Sequence, residues 1–311
     1  MKTKFYECCE LCPNRCRVNR FKEKGYCRSG HEVEIYRYAP HYGEEPPITG
    51  NKGSGTVFFS KCTMQCVYCQ NYPLSQMGEY YSKGKEKLRE AFENLINIGC
   101  HNLNLVSPTH WLPDIYEVLT EIFNKKKYTK VVYNTSGFER KEIIEEFGDI
   151  VDIFLPDLRY AKEESALKFS KAKNYVKEAR NAIKAMYEKV GALHINKDGI
   201  AEKGIICRIL IIPSLAEEAK ESINFLYKEF GKEIGISLMS QYTPTYQTHK
   251  FPEINRYLTK EEYIDVLEHL LNMNFKYIWT QDYDMSTEEK FLGFKMKPGF
   301  DIEECKIINY K

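Results

Sequence analysis

Several things are scarce in this 311-residue chain, and each absence narrows what it does. Charge imbalance is absent: Lys and Arg number 45 against 44 Asp and Glu. The total therefore provides no field to draw a nucleic acid or a strongly acidic partner. No apolar run approaches the roughly 20 residues that cross a bilayer. The first residues, Met-Lys-Thr-Lys-Phe-Tyr-Glu-Cys-Cys-Glu, lack the apolar core of a secretion signal. The expectation is a cytoplasmic protein with neither membrane nor nucleic-acid partner. Low-complexity segments are also missing, so nothing marks an extended disordered region.

What the chain does have is cysteine, 11 in all. Without a secretion signal these read as metal ligands or reactive thiols rather than disulfides, because the cytosol keeps thiols reduced. Cys8, Cys9, Cys12, Cys16 and Cys27 lie near the start, and Cys62, Cys66 and Cys69 form a second group. Cys100, Cys207 and Cys305 stand alone and read as small buried hydrophobes.

From residue 51 onward, short apolar runs alternate with helix-period segments. Strand-like runs are Thr56–Phe59, Asn102–Val106, Lys130–Asn134, Ile150–Leu155, Ile205–Ile212, Ile236–Met239 and Phe275–Trp279. Between them, Ile115, Val118, Leu119, Ile122 and Phe123 follow helical spacing, as do Tyr263, Val266, Leu267, Leu270 and Leu271. Residues 161–190 read as helix broken near 170–174. Ser214 with Glu217, and Thr259 with Glu262, read as capping boxes. Alternation of this kind means parallel βαβ units. The expected fold is α/β, a partial (β/α)6 TIM-type barrel with a small N-terminal cysteine-rich metal-binding extension, the alternative being an open doubly wound sheet. Expected boundaries are 1–50 for the extension and its Pro- and Gly-punctuated connector, 51–285 for the barrel, and 286–311 for a C-terminal tail. Reactive residues belong just past the strand ends in either fold.

One such end carries Lys61-Cys-Thr-Met-Gln-Cys-Val-Tyr-Cys-Gln-Asn71. Structural zinc wants four ligands. Three thiolates in one loop can instead hold three irons of a [4Fe–4S] cube and leave the fourth open to a substrate or cofactor. The competing readings are a zinc knuckle, or a disulfide pair with a spare thiol.

The C-x3-C-x2-C spacing, with Tyr68 before the last cysteine, Asn71 two after it and a barrel-like repeat behind, resembles the radical S-adenosylmethionine superfamily. The nearest branch looks like the pyruvate formate-lyase activating enzymes and their uncharacterised relatives. The resemblance implies that Cys62, Cys66 and Cys69 hold a [4Fe–4S] cluster whose open iron chelates S-adenosylmethionine. Reductive cleavage would then yield a 5′-deoxyadenosyl radical that abstracts hydrogen from a substrate, in oxygen-sensitive chemistry. Asn134-Thr-Ser-Gly137 stands where the activating enzymes have Asp-Thr-Asn-Gly, Pro156-Asp-Leu-Arg159 where they have Leu-Asp-Leu-Lys, and Arg208 to Pro213 keeps their Arg-x-x-x-x-Pro. Ser107-Pro-Thr-His110 replaces their Gly-Gly-Glu, and Tyr242 a histidine near the adenine. Residues implied near the cofactor are Tyr68, Asn71, Thr109, His110, Asn134, Ser136, Asp157, Arg159, Arg208 and Tyr242; His110 reads equally as a cap on the adjacent helix. No catalytic residue is assigned.

Cys9, Cys12, Cys16 and Cys27 supply four thiolates in a segment too small to fold without a staple, with Cys8 able to substitute. Zinc and an auxiliary iron–sulfur cluster both fit. The resemblance implies a low-potential electron donor of flavodoxin or ferredoxin type, and a glycine of a partner enzyme as substrate. The alternatives are a small molecule, a peptide or another protein as substrate, or a non-enzymatic carrier of electrons or zinc.

Overall fold

A computed structural model of the chain describes residues 4–125, 128–283 and 299–300. Cys305 and most of the expected tail, 286–311, lie outside the described residues. The strands longer than two residues are β1 (Glu34–His41), β2 (Ser54–Phe59), β3 (Asn102–Val106), β4 (Lys130–Thr135), β5 (Ile153–Pro156), β6 (Ala201–Leu210), β7 (Gly235–Met239) and β8 (Tyr277–Thr280). The α-helices longer than four residues are α1 (Lys85–Ile98), α2 (Leu112–Asn124), α3 (Lys141–Phe147), α4 (Glu163–Ser170), α5 (Tyr175–Val190), α6 (Ala216–Phe230) and α7 (Lys260–Asn272).

Strand order decides between the two candidate architectures. From β2 to β8 every strand is parallel to, and hydrogen-bonded beside, the next in sequence. A doubly wound sheet reverses direction at a switch point, and this series has no reversal. The α/β fold is a partial barrel. Its helices pack outside: Ile115, Val118, Leu119 and Ile122 of α2 are buried against β2, β3 and β4 residues such as Phe59, Leu103 and Val131. On α7, Tyr263, Val266 and Leu270 are buried while Leu271 is exposed, because each residue advances about 100° around a helix of 3.6 residues per turn.

Two local expectations change. The segment read as a connector supplies part of β1, which pairs antiparallel with β2 from Ile35↔Phe59 to His41↔Ser54. Pro40 pairs with Gly55 of β2, and among the described residues the strand on β1's other side, Gly299–Phe300, reaches Arg37 and Tyr38 but not Pro40. After β1 the chain enters the barrel, where Ile48 packs on Val132, Ile153 and Ile206. Ser214 does not cap α6; its hydroxyl donates to the Glu253 carbonyl at 2.9 Å and its N–H to Glu262 Oε1 at 2.7 Å. Glu262 also completes the capping box with Thr259, as the sequence predicts. The break between α4 and α5 falls at Lys171 and Asn174, both left-handed.

Tyr6, Cys9 and Leu11 of the N-terminal segment are buried in the main core, and one buried cation, Arg20, ties the segment to the barrel. Arg20 lies between the rings of Tyr6 (4.4 Å) and Trp111 (4.9 Å). It donates from Nε to the Gly30 carbonyl at 2.7 Å and from Nη1 to the His110 carbonyl at 2.5 Å. Removing it leaves the buried His110 carbonyl and the half-buried Gly30 carbonyl unmet and two aromatic faces unstacked. Arg20→Ala is expected to lower stability by about 3 kcal/mol or more, and to open the first thirty residues to proteolysis before the barrel. Urea unfolding and limited digestion check both.

Candidate active site around the cysteine loop

The three-cysteine loop leaves β2 through Lys61, whose positive φ of 69° turns the chain and whose Nζ pairs with Glu34 Oε2 at 2.5 Å. Gln65 N–H and Val67 N–H donate to the carbonyls of Ser170 and Phe169 at 3.1 and 2.8 Å, fastening the loop to the end of α4. Each sulfur meets a donor. Met64 N–H donates to Cys62 Sγ at 3.4 Å, the Ser170 hydroxyl to Cys66 Sγ at 3.0 Å, and Cys69 Sγ shares a hydrogen bond with Ser75 Oγ at 3.0 Å. Burial, then the neighbouring Cys66, pushes the Cys62 thiol up to about 12 and the Cys69 thiol to about 11. Metal binding at this loop must therefore displace protons.

Among the described residues no three His, Cys, Asp or Glu side chains converge on a single metal ion. A cubane does not ask for that, since each cysteine ligates a different iron. The donor set fits such a cluster: three thiols in one loop, hydrogen-bond donors at each sulfur, and the Arg159 guanidinium with Nη1 at 3.8 Å from Cys66 Sγ.

Arg159 also reaches Asp157, with Nη2 at 2.5 Å and Nε at 3.1 Å from Oδ2. Arg208 holds the other oxygen, Oδ1, from Nε at 2.6 Å. Burial alone would raise Asp157, yet the Arg208 and Arg159 charges hold its carboxyl below the ordinary range. Arg208 further donates to Asn134 Oδ1 at 2.5 Å. The strand-end residues Asn134, Asp157, Arg159 and Arg208 thus form one network that ends at a cluster cysteine. Ser136 joins through its carbonyl, which accepts from Tyr175 Oη at 2.9 Å. Gly137 is required there, with φ of 76° and a Cβ position that would collide with the Asp157 carbonyl.

Tyr68 Oη is 2.7 Å from Tyr160 Oη, and its ring lies 5.7 Å from that of Tyr242. Tyr242 donates to the Ile254 carbonyl at 2.7 Å. Asn71 stands beside the loop, its carbonyl accepting from Ser75 N–H at 2.9 Å. His110 is buried with Nε2 2.9 Å from the Ser60 carbonyl, and burial lowers it to about 3, so it is neutral. It faces the base of the cysteine loop.

The N-terminal cysteines pack against this loop. Cys9, Cys12 and Cys27 are buried and Cys16 half-buried, while Cys8 is exposed. Asn14 Nδ2 spans the two groups, 3.6 Å from Cys12 Sγ and 2.8 Å from the Thr63 carbonyl.

Three carboxylates here escape sequence reasoning. Glu44 accepts from Asn104 and Asn134 at 3.0 and 3.2 Å and from Arg208 at 3.3 Å. Glu45, its neighbour, is fully buried. The only signal for them is two adjacent acids before Pro46-Pro47, which reads as a turn. Glu139, two residues after Gly137, accepts from the hydroxyls of Thr109 (2.6 Å) and Thr135. Thr109 is therefore held by a carboxylate from the next strand end.

Burial raises the Glu139 carboxyl to about 7, against hydrogen bonds from Thr109 and Thr135 that lower it. The native state keeps a proton that the unfolded chain loses above its ordinary value of 4.5. This contribution to stability is present below that value and is lost as pH rises through about 7. Glu139→Gln has no proton to lose. Its stability should vary less between about pH 5 and 8 than wild type, with a relative gain of about 1–3 kcal/mol at the upper end. Denaturant titrations across that range measure the difference.

The radical SAM superfamily profile matches residues 56–201. The chain is 28% identical over 272 residues to the uncharacterized protein MJ0674 of Methanocaldococcus jannaschii, covering 84% of this chain and 73% of that one. Among solved structures, Streptococcus suis SuiB bound to S-adenosylmethionine aligns with a TM-score of 0.50 and 14% identity, over 76% of this chain and 52% of SuiB. The chain spans about half the length of SuiB, and at that identity the likeness concerns the fold. No described helix is long and apolar enough to cross a membrane. The profile match runs from β2 into β6 and encloses both the three-cysteine loop and the Asp157–Arg159 pair.

Proposed function

We propose that the protein is a radical enzyme in which Cys62, Cys66 and Cys69 hold a [4Fe–4S] cluster and the adjoining strand ends bind S-adenosylmethionine. The observation that carries this reading is Arg159, which joins the Asp157 carboxylate to Cys66 Sγ. When bound, the cluster and S-adenosylmethionine supply a 5′-deoxyadenosyl radical that abstracts hydrogen from a substrate. The chain's own residues bind and orient. Arg159, held on Asp157 through Nε and Nη2, keeps Nη1 on the cysteine side to donate to a carboxylate, and Asp157 fixes its direction. Asn134 and Thr109 present oxygens to an ammonium group. Tyr68 and Tyr242 wall the aromatic side, and the buried loop keeps water from the reacting centre.

A low-potential donor of flavodoxin or ferredoxin type would meet the loop on its outer face. A cleft of about 580 Å³ lies there, lined by Lys24, Arg28, Lys61 and Lys83 with Met77 and Tyr80. Arg28 donates to the Ser75 carbonyl at 2.9 Å, and the Ser75 hydroxyl meets Cys69. Lys61 and Lys83 are paired with carboxylates that line the same cleft, so Lys24 and Arg28 carry the basic excess that suits an acidic surface. The N-terminal set Cys9, Cys12, Cys16 and Cys27 would hold a second metal, an iron–sulfur cluster or, if its sulfurs draw together from positions that do not converge on one ion, zinc, and that metal would brace the loop through Asn14. A glycine of a partner enzyme as substrate rests on the resemblance alone; electron paramagnetic resonance of candidate partners would reveal its glycyl radical.

Anaerobically reconstituted and reduced, the protein should convert S-adenosylmethionine to 5′-deoxyadenosine. Cys66→Ala should abolish this, and Arg159→Lys should reduce it by about 10-fold or more. No 5′-deoxyadenosine from the wild type overturns the reading. Metal and sulfide analysis separates the two sites: a Cys62/Cys66/Cys69 triple Ala variant should lose iron and sulfide, and a Cys12/Cys16 double Ala variant only the second metal.

A further inference from the structure

The interior of the barrel carries a polar layer that the reaction above does not use up. Thr56 of β2, Asn104 of β3, Asn134 of β4, Asp157 after β5, Arg208 of β6 and Ser237 of β7 contribute one side chain each, and Glu44 and Glu45 enter from the segment after β1. A barrel interior is ordinarily filled by branched apolar side chains. This layer contains three carboxyls, Glu44, Glu45 and Asp157, and two guanidiniums, Arg208 and Arg159.

The guanidiniums are committed. Arg159 is on Asp157, and Arg208 spans Asp157, Glu44 and Asn134. Glu45 makes no well-formed hydrogen bond at either oxygen, the Ser237 hydroxyl being the side-chain donor nearest to it, and Asn104 Oδ1 is unpartnered; all three residues are fully buried. Glu45 occupies the N-cap position of the short Pro46–Thr49 helix, yet its side chain makes no cap bond. Leaving a buried acceptor unmet costs about 1–3 kcal/mol, so such groups concentrate where a ligand supplies the missing donor.

The unmet groups define the ligand. Glu45 Oε1, Glu45 Oε2 and Asn104 Oδ1 only accept, and the spare formal charge is one carboxyl. A metal ion would need several oxygens around one point, and no three acidic, His or Cys groups converge among the described residues. An ammonium or guanidinium brings both the donors and the charge. We propose that the barrel interior binds a cationic group, amine or guanidinium, of the substrate, with Glu45 as its counter-ion and Asn104 Oδ1 and Ser237 Oγ as further acceptors. This rests on the radical-enzyme reading for the word substrate, while the binding itself does not. Burial, and then the Glu44 charge, raise the Glu45 carboxyl to about 7 against the pull of Arg208, so the layer tolerates the group without its ligand and ionises when a cation arrives. The other charged groups facing Glu45 are Glu44 and Arg208.

Calorimetric titration of the full chain with agmatine and with n-butylamine, using n-butanol as the neutral control, tests the inference without S-adenosylmethionine cleavage. At least one amine should bind saturably, about 10-fold or more tighter than the alcohol, and release protons in buffers of differing ionisation enthalpy. Glu45→Gln, similar in size, should lose that advantage, and Ser237→Ala should weaken it if the first variant fails to fold. The surface variant Glu32→Gln should bind as wild type does. Absence of saturable binding by both amines, or equal binding by Glu45→Gln, overturns the inference and leaves the 5′-deoxyadenosine result to stand or fall separately. Competition by S-adenosylmethionine, itself cationic, would assign the layer to the cofactor and overturn it as a substrate site.

Discussion

The Asp157 carboxylate is the point on which the site turns. Two guanidiniums share it, Arg159 on one oxygen and Arg208 on the other, and each carries the link onward. Arg159 reaches the cysteine loop above, and Arg208 reaches Glu44 and Asn134 within the barrel. Breaking a buried pair by removing one partner costs about 3–5 kcal/mol, because the survivor is left charged and unpaired. Geometry at the loop and in the interior is therefore coupled through a single side chain.

The second constraint is the packing of the N-terminal segment on that loop. Arg20, stacked between Tyr6 and Trp111, holds the His110 carbonyl, and the His110 ring holds the Ser60 carbonyl at the foot of the loop. Asn14 bridges Cys12 and Thr63 from the other side. The two cysteine groups, 35 residues apart between Cys27 and Cys62, form adjoining walls. Ser107-Pro-Thr-His110 has a physical account in this setting: Thr109 anchors Glu139, and His110 and the following Trp111 support the loop from beneath.

Much of the fold was legible because its signals are local. Helical spacing in α2 and α7, the Thr259–Glu262 box and the interruption at Lys171 to Asn174 each depend on residues within a few positions of one another. β1 was hidden because Pro40 and the Gly and Pro residues after it signal a turn, whereas strand pairing with β2 supplies the energy that overrides them. Ser214 misled for a related reason: its hydroxyl and N–H could serve α6, but partners from residues 253 and 262 lie closer in space.

The amino-acid sequence by itself determined the three-cysteine loop, the alternation of strand and helix, and the strand ends where polar chemistry collects, since spacing and periodicity are properties of the chain alone. Only the tertiary structure decided that the strands run in unbroken order rather than reversing, because pairing is a choice among distant partners. It alone brought Arg159 to Cys66, Glu139 to Thr109, and Glu44 and Glu45 into the barrel. A carboxylate's role depends on which donors surround it and how far water is excluded, and neither is written in the residues beside it.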